Sequence, residues 1–238
     1  MIGVRRDGAT TWLTLDRAEK LNAFTVDGYR ELRVQLQELM ADSSTRVAVL
    51  TGTGRAFSVG ADRSLLDGSM DASQRRGAGD EFDALLEVLA GFEKPLVAAV
   101  NGLAVGFGCT ALLYCDVILV AESARLRMPF TAMGIVPEAG SSVLLPARVR
   151  WADAMWSMLS SEWIDAAAAV RMGLALDAVP DADLVTRTTD AAQVLAAHDP
   201  RSVAATKRLL VAGRSDAARR AAAREVAEMG HLLGPRND

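Results

Sequence analysis

Two glycine-rich loops hold the residue types in this chain best suited to chemistry. Gly52-Thr53-Gly54-Arg55-Ala56-Phe57-Ser58-Val59-Gly60-Ala61-Asp62 follows the apolar run Val47 to Thr51. Gly106-Phe107-Gly108 comes soon after a second run, Leu96 to Val100. Each loop should leave backbone N–H groups free at a sheet edge, near the start of a helix or irregular segment. Two such donors converging on one point make an oxyanion hole, which stabilises negative charge growing on a carbonyl oxygen. The alternative is that the glycines only permit tight turns.

Several other chemistries are excluded. Neither loop continues as G-x-G-x-x-G, because Phe57 and Ala111 take the last position, and no G-x-x-x-x-G-K-[S/T] or G-x-S-x-G occurs. The only two histidines, His198 and His231, fall in late helical stretches and read as surface or interface residues. With two cysteines and two histidines a Cys/His zinc site is ruled out, and no metal is expected. Cys109 and Cys115 read as small buried hydrophobes. The 26 basic and 30 acidic residues give a net charge of −4. No basic run exceeds a pair such as Arg5-Arg6, so neither nucleic acid nor an anionic membrane is an expected partner. A local basic pocket for one phosphate-bearing ligand remains compatible. The longest apolar runs, such as Val117 to Ala121, are far short of the roughly 20 residues of a membrane span. Met1 leads directly into strand-like sequence without a signal-peptide apolar core, which predicts a cytoplasmic protein.

The elements that must position the loops follow from periodicity. Ile2 to Arg6 and Thr10 to Leu15 read as a hairpin across Asp7-Gly8. Thr25 is a candidate N-cap for a helix whose buried face is Val26, Tyr29, Leu32, Leu36 and Leu39. Residues 63–79 lack periodicity and read as a mobile loop. Phe82, Leu85, Leu86 and Leu89 form the next helical face. Leu96 to Val100 and Val117 to Ala121 read as strands, Leu126 to Met128 as a short one, and Gly106-Phe107-Gly108 leads into a short helix through Tyr114. The last third is helical: Trp151 to Leu159, Asp165 to Met172 stopped by Gly173, Asp183 to His198, Arg201 to Val211 and Asp216 to Leu233. Short apolar strands interleaved with helices predict an α/β fold with both sheet faces covered. Aromatics are only 5%, so the core should be mainly Ala, Val and Leu.

The ordered stretches resemble the enoyl-CoA hydratase/isomerase (crotonase) superfamily. They are Arg17-Ala18-Glu19-Lys20-Leu21-Asn22-Ala23-Phe24, Gly54 to Asp62, Lys94 to Gly108, Cys115-Asp116, Gly134-Ile135-Val136-Pro137-Glu138, and Asp165 to Gly173-Leu174. The resemblance runs from about Asp16 to Val179. It implies a crotonase-like spiral of ββα units over 1–179 and a helical C-terminal trimerisation region over 180–238. It also implies a homotrimer or hexamer, an acyl-CoA substrate in fatty acid metabolism, and no cofactor beyond the coenzyme A of that substrate.

The resemblance places the thioester oxygen between the N–H groups of Ala61 and Phe107, with the Phe107 side chain shaping the acyl pocket. Coenzyme A would lie along Lys20, Ala23, Val59 and Ala61. Asp62 would brace the loop, and Lys207 is either a phosphate contact or an exposed lysine. The two hydratase glutamates are absent, since Thr110 and Phe130 occupy their positions. Pro129-Phe130 through Glu138 to Ser141-Ser142 resembles the Δ3,Δ2-enoyl-CoA isomerase branch, in which the one glutamate, here Glu138, is the acid/base. In an apolar cleft such a carboxyl should have a raised pKa. Read without the family, Glu138 is better taken as a helix-start carboxylate favoured by the dipole. The alternatives to isomerisation are another enolate reaction on acyl-CoA and a catalytically silent acyl-CoA-binding protein.

Overall fold

A computed structural model describes residues 2–233. The chain opens with the expected hairpin. β1 (Ile2–Asp7) and β2 (Thr10–Leu15) pair antiparallel, with Ile2 opposite Leu15. α1 (Val26–Ala41) begins where Thr25 accepts the Gly28 N–H, a cap worth about 1 kcal/mol. Its Tyr29, Leu32, Leu36 and Leu39 are buried as the periodicity requires, while Val26 is only half-buried. Then follow β3 (Val47–Gly52), β4 (Ala56–Ser58), α2 (Ala72–Ala90), β5 (Leu96–Val100), β6 (Leu103–Val105) and α3 (Phe107–Thr110), which tightens into a 3₁₀ turn over Ala111–Tyr114. β7 (Val117–Ala121), β8 (Arg125–Arg127), α4 (Ser141–Leu144), α5 (Trp151–Ser160), β9 (Ile164–Asp165) and α6 (Ala166–Met172) come next. β10 (Asp177–Val179), α7 (Leu184–Ala196) and α8 (Pro200–Leu233) complete the chain.

The strands form two sheets. One has six strands in the order β1-β2-β3-β5-β7-β10, and the other has four in the order β4-β6-β8-β9. From β3 to β8 the chain alternates strictly between them, so each turn is a strand in one sheet, a short strand in the other, and a helical return. β2, β3, β5, β7 and β10 run parallel. This is the α/β spiral of ββα units expected from the sequence. The central strand β5 is buried at every position, which is why its run is uniformly apolar rather than alternating. α7 lies against β2, β3, β5 and β7.

Several expectations need correction. Residues 63–79 are not one loop: a 3₁₀ turn spans Arg63–Leu65, and α2 starts at Ala72. Asp71 accepts the Ser73 and Gln74 N–H groups while Gln74 bonds back to the Asp71 N–H, a capping box. The first turns of α2 are exposed, so they need no apolar face and show no periodicity. Arg201 to Val211 and Asp216 to Leu233 are not separate helices but one 34-residue helix, α8. The interior Gly213 costs about 1 kcal/mol relative to Ala, which is too little to break it. The short strand expected at Leu126 to Met128 lies one residue earlier, and β4, β6, β9 and β10 are only two or three residues long, too short for a period to register. Cys109 and Cys115 are buried free thiols, and burial pushes each up to about 12.

Candidate active site

The two glycine loops meet. Beyond β4, Ala61 bridges Phe24 in parallel. The Phe24 N–H donates to Gly60 O and the Asp62 N–H to Phe24 O, each at 2.7 Å. Residues on either side of Ala61 thus use that edge, and the Ala61 N–H faces the other way, with no acceptor among the described residues. Phe107 is the first residue of α3, so its N–H has no partner within the helix. Gly60 sits between the two. Its φ is +83°, and a Cβ placed there would stand 3.0 Å from Phe107 N and 2.8 Å from Val105 O. Only glycine lets the loops approach this closely.

The Phe107 side chain is buried rather than projecting into solvent. Its ring centroid lies 5.3 Å from Phe24, 5.5 Å from Tyr29 and 4.9 Å from Phe82, all edge-on. Four of the chain's twelve aromatic residues thus cluster behind the Phe107 N–H. Each edge-on pair is worth about 0.5–1.5 kcal/mol beyond its buried area, so the start of α3 is held rigidly.

Glu138 joins the same site through Thr110, one helical turn after Phe107. The Thr110 hydroxyl donates to Glu138 Oε1 at 2.5 Å. Oε2 is sealed from solvent with no hydrogen-bond partner among the described residues, although the residue as a whole is half-buried. Burial pushes the carboxyl up to about 8. The Thr110 hydrogen bond opposes that rise, and the charge of Glu225 adds to it. The helix-start alternative fails on geometry. Glu138 stands three residues ahead of α4, and the Gly140 and Ser142 N–H groups donate instead to Glu225, at 2.7 and 2.9 Å.

The residues expected to hold coenzyme A come together on adjoining segments. Val59 N–H donates to Leu21 O, Ala23 N–H to Lys20 O, and Ala61 bridges Phe24. Buried Asn22 fixes this corner by accepting from Arg17 N–H and donating to Thr53 O and Ala56 O. It adopts φ +56°, which Asn tolerates. Lys20 is exposed, Ala23 is buried, and Val59 and Ala61 are half-buried. Asp62 does brace the loop, pairing with Arg17 at 2.5 Å and accepting the Ser64 N–H. These bonds hold its carboxyl down at about 2, the Ser64 N–H bond foremost and Arg17 next. An open cleft of about 530 Å³ lined by Thr25, Arg30, Ser64, Leu65 and Met70 flanks this corner.

Lys207 meets neither expectation. It is not exposed but half-buried, pairs with Asp116 at 2.6 Å and donates to Lys94 O. A cleft of about 730 Å³ lies there between α7, α8 and the Cys115–Val117 edge, and includes none of Ala61, Phe107 or Glu138. His198 and His231 are exposed. Phe130 is a buried core residue with no acid/base capacity. Sequence reasoning missed three partners of the Glu138 turn: Thr110, Tyr114, whose hydroxyl donates to Ala139 O at 2.7 Å, and Glu225. In the sequence Thr110 reads only as the position of an absent acid, and Glu225 sits in an Ala-rich helix whose charges look solvated.

The enoyl-CoA hydratase/isomerase family model matches residues 5–233. The chain belongs to this family. Among its relatives is a probable enoyl-CoA hydratase of Rhodobacter capsulatus, 38% identical over 205 residues, covering 86% of this chain and 78% of that protein. The 1,2-epoxyphenylacetyl-CoA isomerase of Escherichia coli is 35% identical over 191 residues, covering 78% and 71%. An enoyl-CoA hydratase/isomerase from Pseudoalteromonas atlantica superposes with a TM-score of 0.91 at 32% identity, covering 98% of this chain and 92% of that one. The protein is thus a crotonase-type acyl-CoA enzyme. Among the described residues, no helix is long and apolar enough to cross a membrane.

Proposed function

We propose that this crotonase-type enzyme moves a double bond from C3 to C2 of an enoyl-CoA, with Glu138 as its single acid/base. The observation that carries this reading is the Glu138 carboxyl: Oε1 is tied through Thr110 to the helix that offers the Phe107 N–H, while Oε2 is buried and, among the described residues, without a partner. The Glu138 carboxylate removes a proton from C2 of the β,γ-unsaturated thioester. The electron pair delocalises onto the thioester oxygen, where the Ala61 and Phe107 N–H groups hold the dienolate. The carboxylic acid then returns the same proton at C4, leaving the double bond between C2 and C3. Lys20, Ala23, Val59 and Ala61 bind the coenzyme A portion.

Hydration makes a different demand: a positioned water and a carboxylate to take its proton. Thr110 and Phe130 supply neither, and Thr110 is engaged with Glu138. The hydratase names of several relatives point the other way, so the test pairs both activities. The purified protein should isomerise 3-enoyl-CoA of some chain length and hydrate crotonyl-CoA poorly or not at all. Glu138→Gln should keep ligand affinity and lose about 10²–10⁴-fold in isomerisation, the usual worth of a general acid/base. Robust hydration would overturn the assignment. Ligand binding without turnover at any chain length would favour a silent acyl-CoA-binding protein.

The active form is a homotrimer or a dimer of trimers. Supporting this, Trp151, Trp156, Leu159 and Trp163 leave a strongly apolar surface on and just after α5, with Trp151 68% exposed. Several large apolar side chains exposed within one short stretch of chain fit an association surface.

A further inference from the structure

We propose that Glu225, on the C-terminal helix, is a positioning residue for Glu138: its carboxylate holds the turn that aims the Glu138 carboxyl into the site. This inference rests on the reading of Glu138 as the acid/base. Glu225 is 6% exposed and, among the described residues, no Lys or Arg pairs with it. A buried carboxylate with no cation must be stabilised some other way. Here it accepts the Gly140 and Ser142 N–H groups, both just downstream of Glu138.

That turn needs holding. Ala139 and Gly140 are consecutive left-handed residues, with φ +60° and +67°. For Ala139 this conformation costs about 1–2 kcal/mol, so it persists only where its surroundings enforce it. Tyr114 holds Ala139 O, Ser141 holds Glu138 O through its hydroxyl and N–H, and Glu225 holds the next two N–H groups on that side. α8 also packs directly on the turn. A Cβ on Gly140 would come within 2.7 Å of Ala218 O.

Glu225 acts on Glu138 electrostatically as well. The groups that sense Glu138 are Tyr29 from α1, Cys109 from α3, Tyr114 from the 3₁₀ turn after it, and Glu225 from α8. Burial pushes the two phenols and the thiol upward, so they stay neutral. Glu225 is the negative neighbour, and it disfavours ionisation of Glu138. Removing its charge should therefore lower the Glu138 pKa, whereas a purely structural role would leave it unmoved.

The test is a carboxyl-carbon NMR titration of the full-length protein with labelled glutamate, alongside 3-enoyl-CoA kinetics. In the wild type one glutamate should titrate near 8, and its absence in Glu138→Gln assigns it. In Glu225→Gln that midpoint should move down, and kcat should fall by about 10- to 100-fold, because an amide repels one of the two N–H groups and loosens the turn. Glu225→Asp keeps the charge but retracts it, so the midpoint should stay raised while kcat falls. It serves as the second reading if the Gln variant does not fold. Wild-type midpoint and kcat in the Gln variant, or in the Asp variant wild-type kcat or a midpoint in the ordinary carboxylate range, would overturn the inference. If instead Glu138→Gln turns over like the wild type, the acid/base reading fails, and the titration still reports whether Glu225 couples to Glu138.

Discussion

The Thr110 hydroxyl donates to Glu138 Oε1 at 2.5 Å, joining the first helix after the Gly106 loop to a carboxyl 28 positions later. Two consequences follow. The bond fixes which oxygen of Glu138 is engaged and leaves Oε2 without a partner among the described residues. It also favours the charged form of a group that burial drives toward neutrality.

The pH dependence of isomerisation should show this balance. A base must be unprotonated in the free enzyme, so kcat/KM should rise with pH up to about 8 and level off above it. Thr110→Val preserves shape and removes the donor. The charged form then loses a hydrogen bond worth about 1.5–3 kcal/mol, so the limb should move to higher pH by roughly one unit or more. At pH 7 the variant should be about tenfold slower or worse, with much of the rate recovered at alkaline pH. An unmoved limb would show that Thr110 does not tune Glu138.

Gly60 is where the two loops touch, so Gly60→Ala should damage the oxyanion hole directly. The added Cβ meets two backbone atoms at 3.0 Å or less, in a conformation that L residues rarely adopt. The loops must separate, and losing one oxyanion donor costs about 10²–10³-fold in kcat. Steady-state kinetics should show this loss in kcat, and a ground-state acyl-CoA analogue should still bind by calorimetry. Wild-type kcat would mean that the Ala61 and Phe107 N–H groups do not act together.

The aromatic packing behind Phe107 predicts a stability effect separable from the backbone donor. Phe107→Ala should cost about 3–5 kcal/mol of stability, because the ring contacts Phe24, Tyr29 and Phe82. Urea denaturation followed by circular dichroism would measure it. A change below about 1 kcal/mol would show that the cluster does not hold the start of α3.

Assembly can be tested on α5. Light scattering at micromolar concentration should report three or six chains, and Trp151→Glu with Trp156→Glu should weaken the assembly, since both side chains are mostly exposed in the single chain. A monomeric wild type would contradict the trimer.

Much of this molecule was legible without its tertiary structure. The buried strands appear as apolar runs, the faces of α1 and the end of α2 as helical periods, and Gly173 as a helix stop, because each depends on residues close in the chain. The glycine loops bearing Ala61 and Phe107 were readable from order and spacing, and the resemblance to the crotonase family implied that Thr110 and Phe130 occupy the positions of the two hydratase glutamates. Folding alone decided the rest. The early turns of α2 are exposed and carry no apolar period, and α8 runs through Gly213 because one glycine costs less than the remaining helix contributes. The short strands of the second sheet exist only through their neighbours. Above all, Thr110 and Glu225 meet the Glu138 turn across 28 and some 85 positions. No local pattern encodes such a pairing. It arises when the spiral stacks α3 beside the Glu138 turn and α8 closes over it, so that a threonine and a surface-like glutamate become the partners of a buried carboxyl.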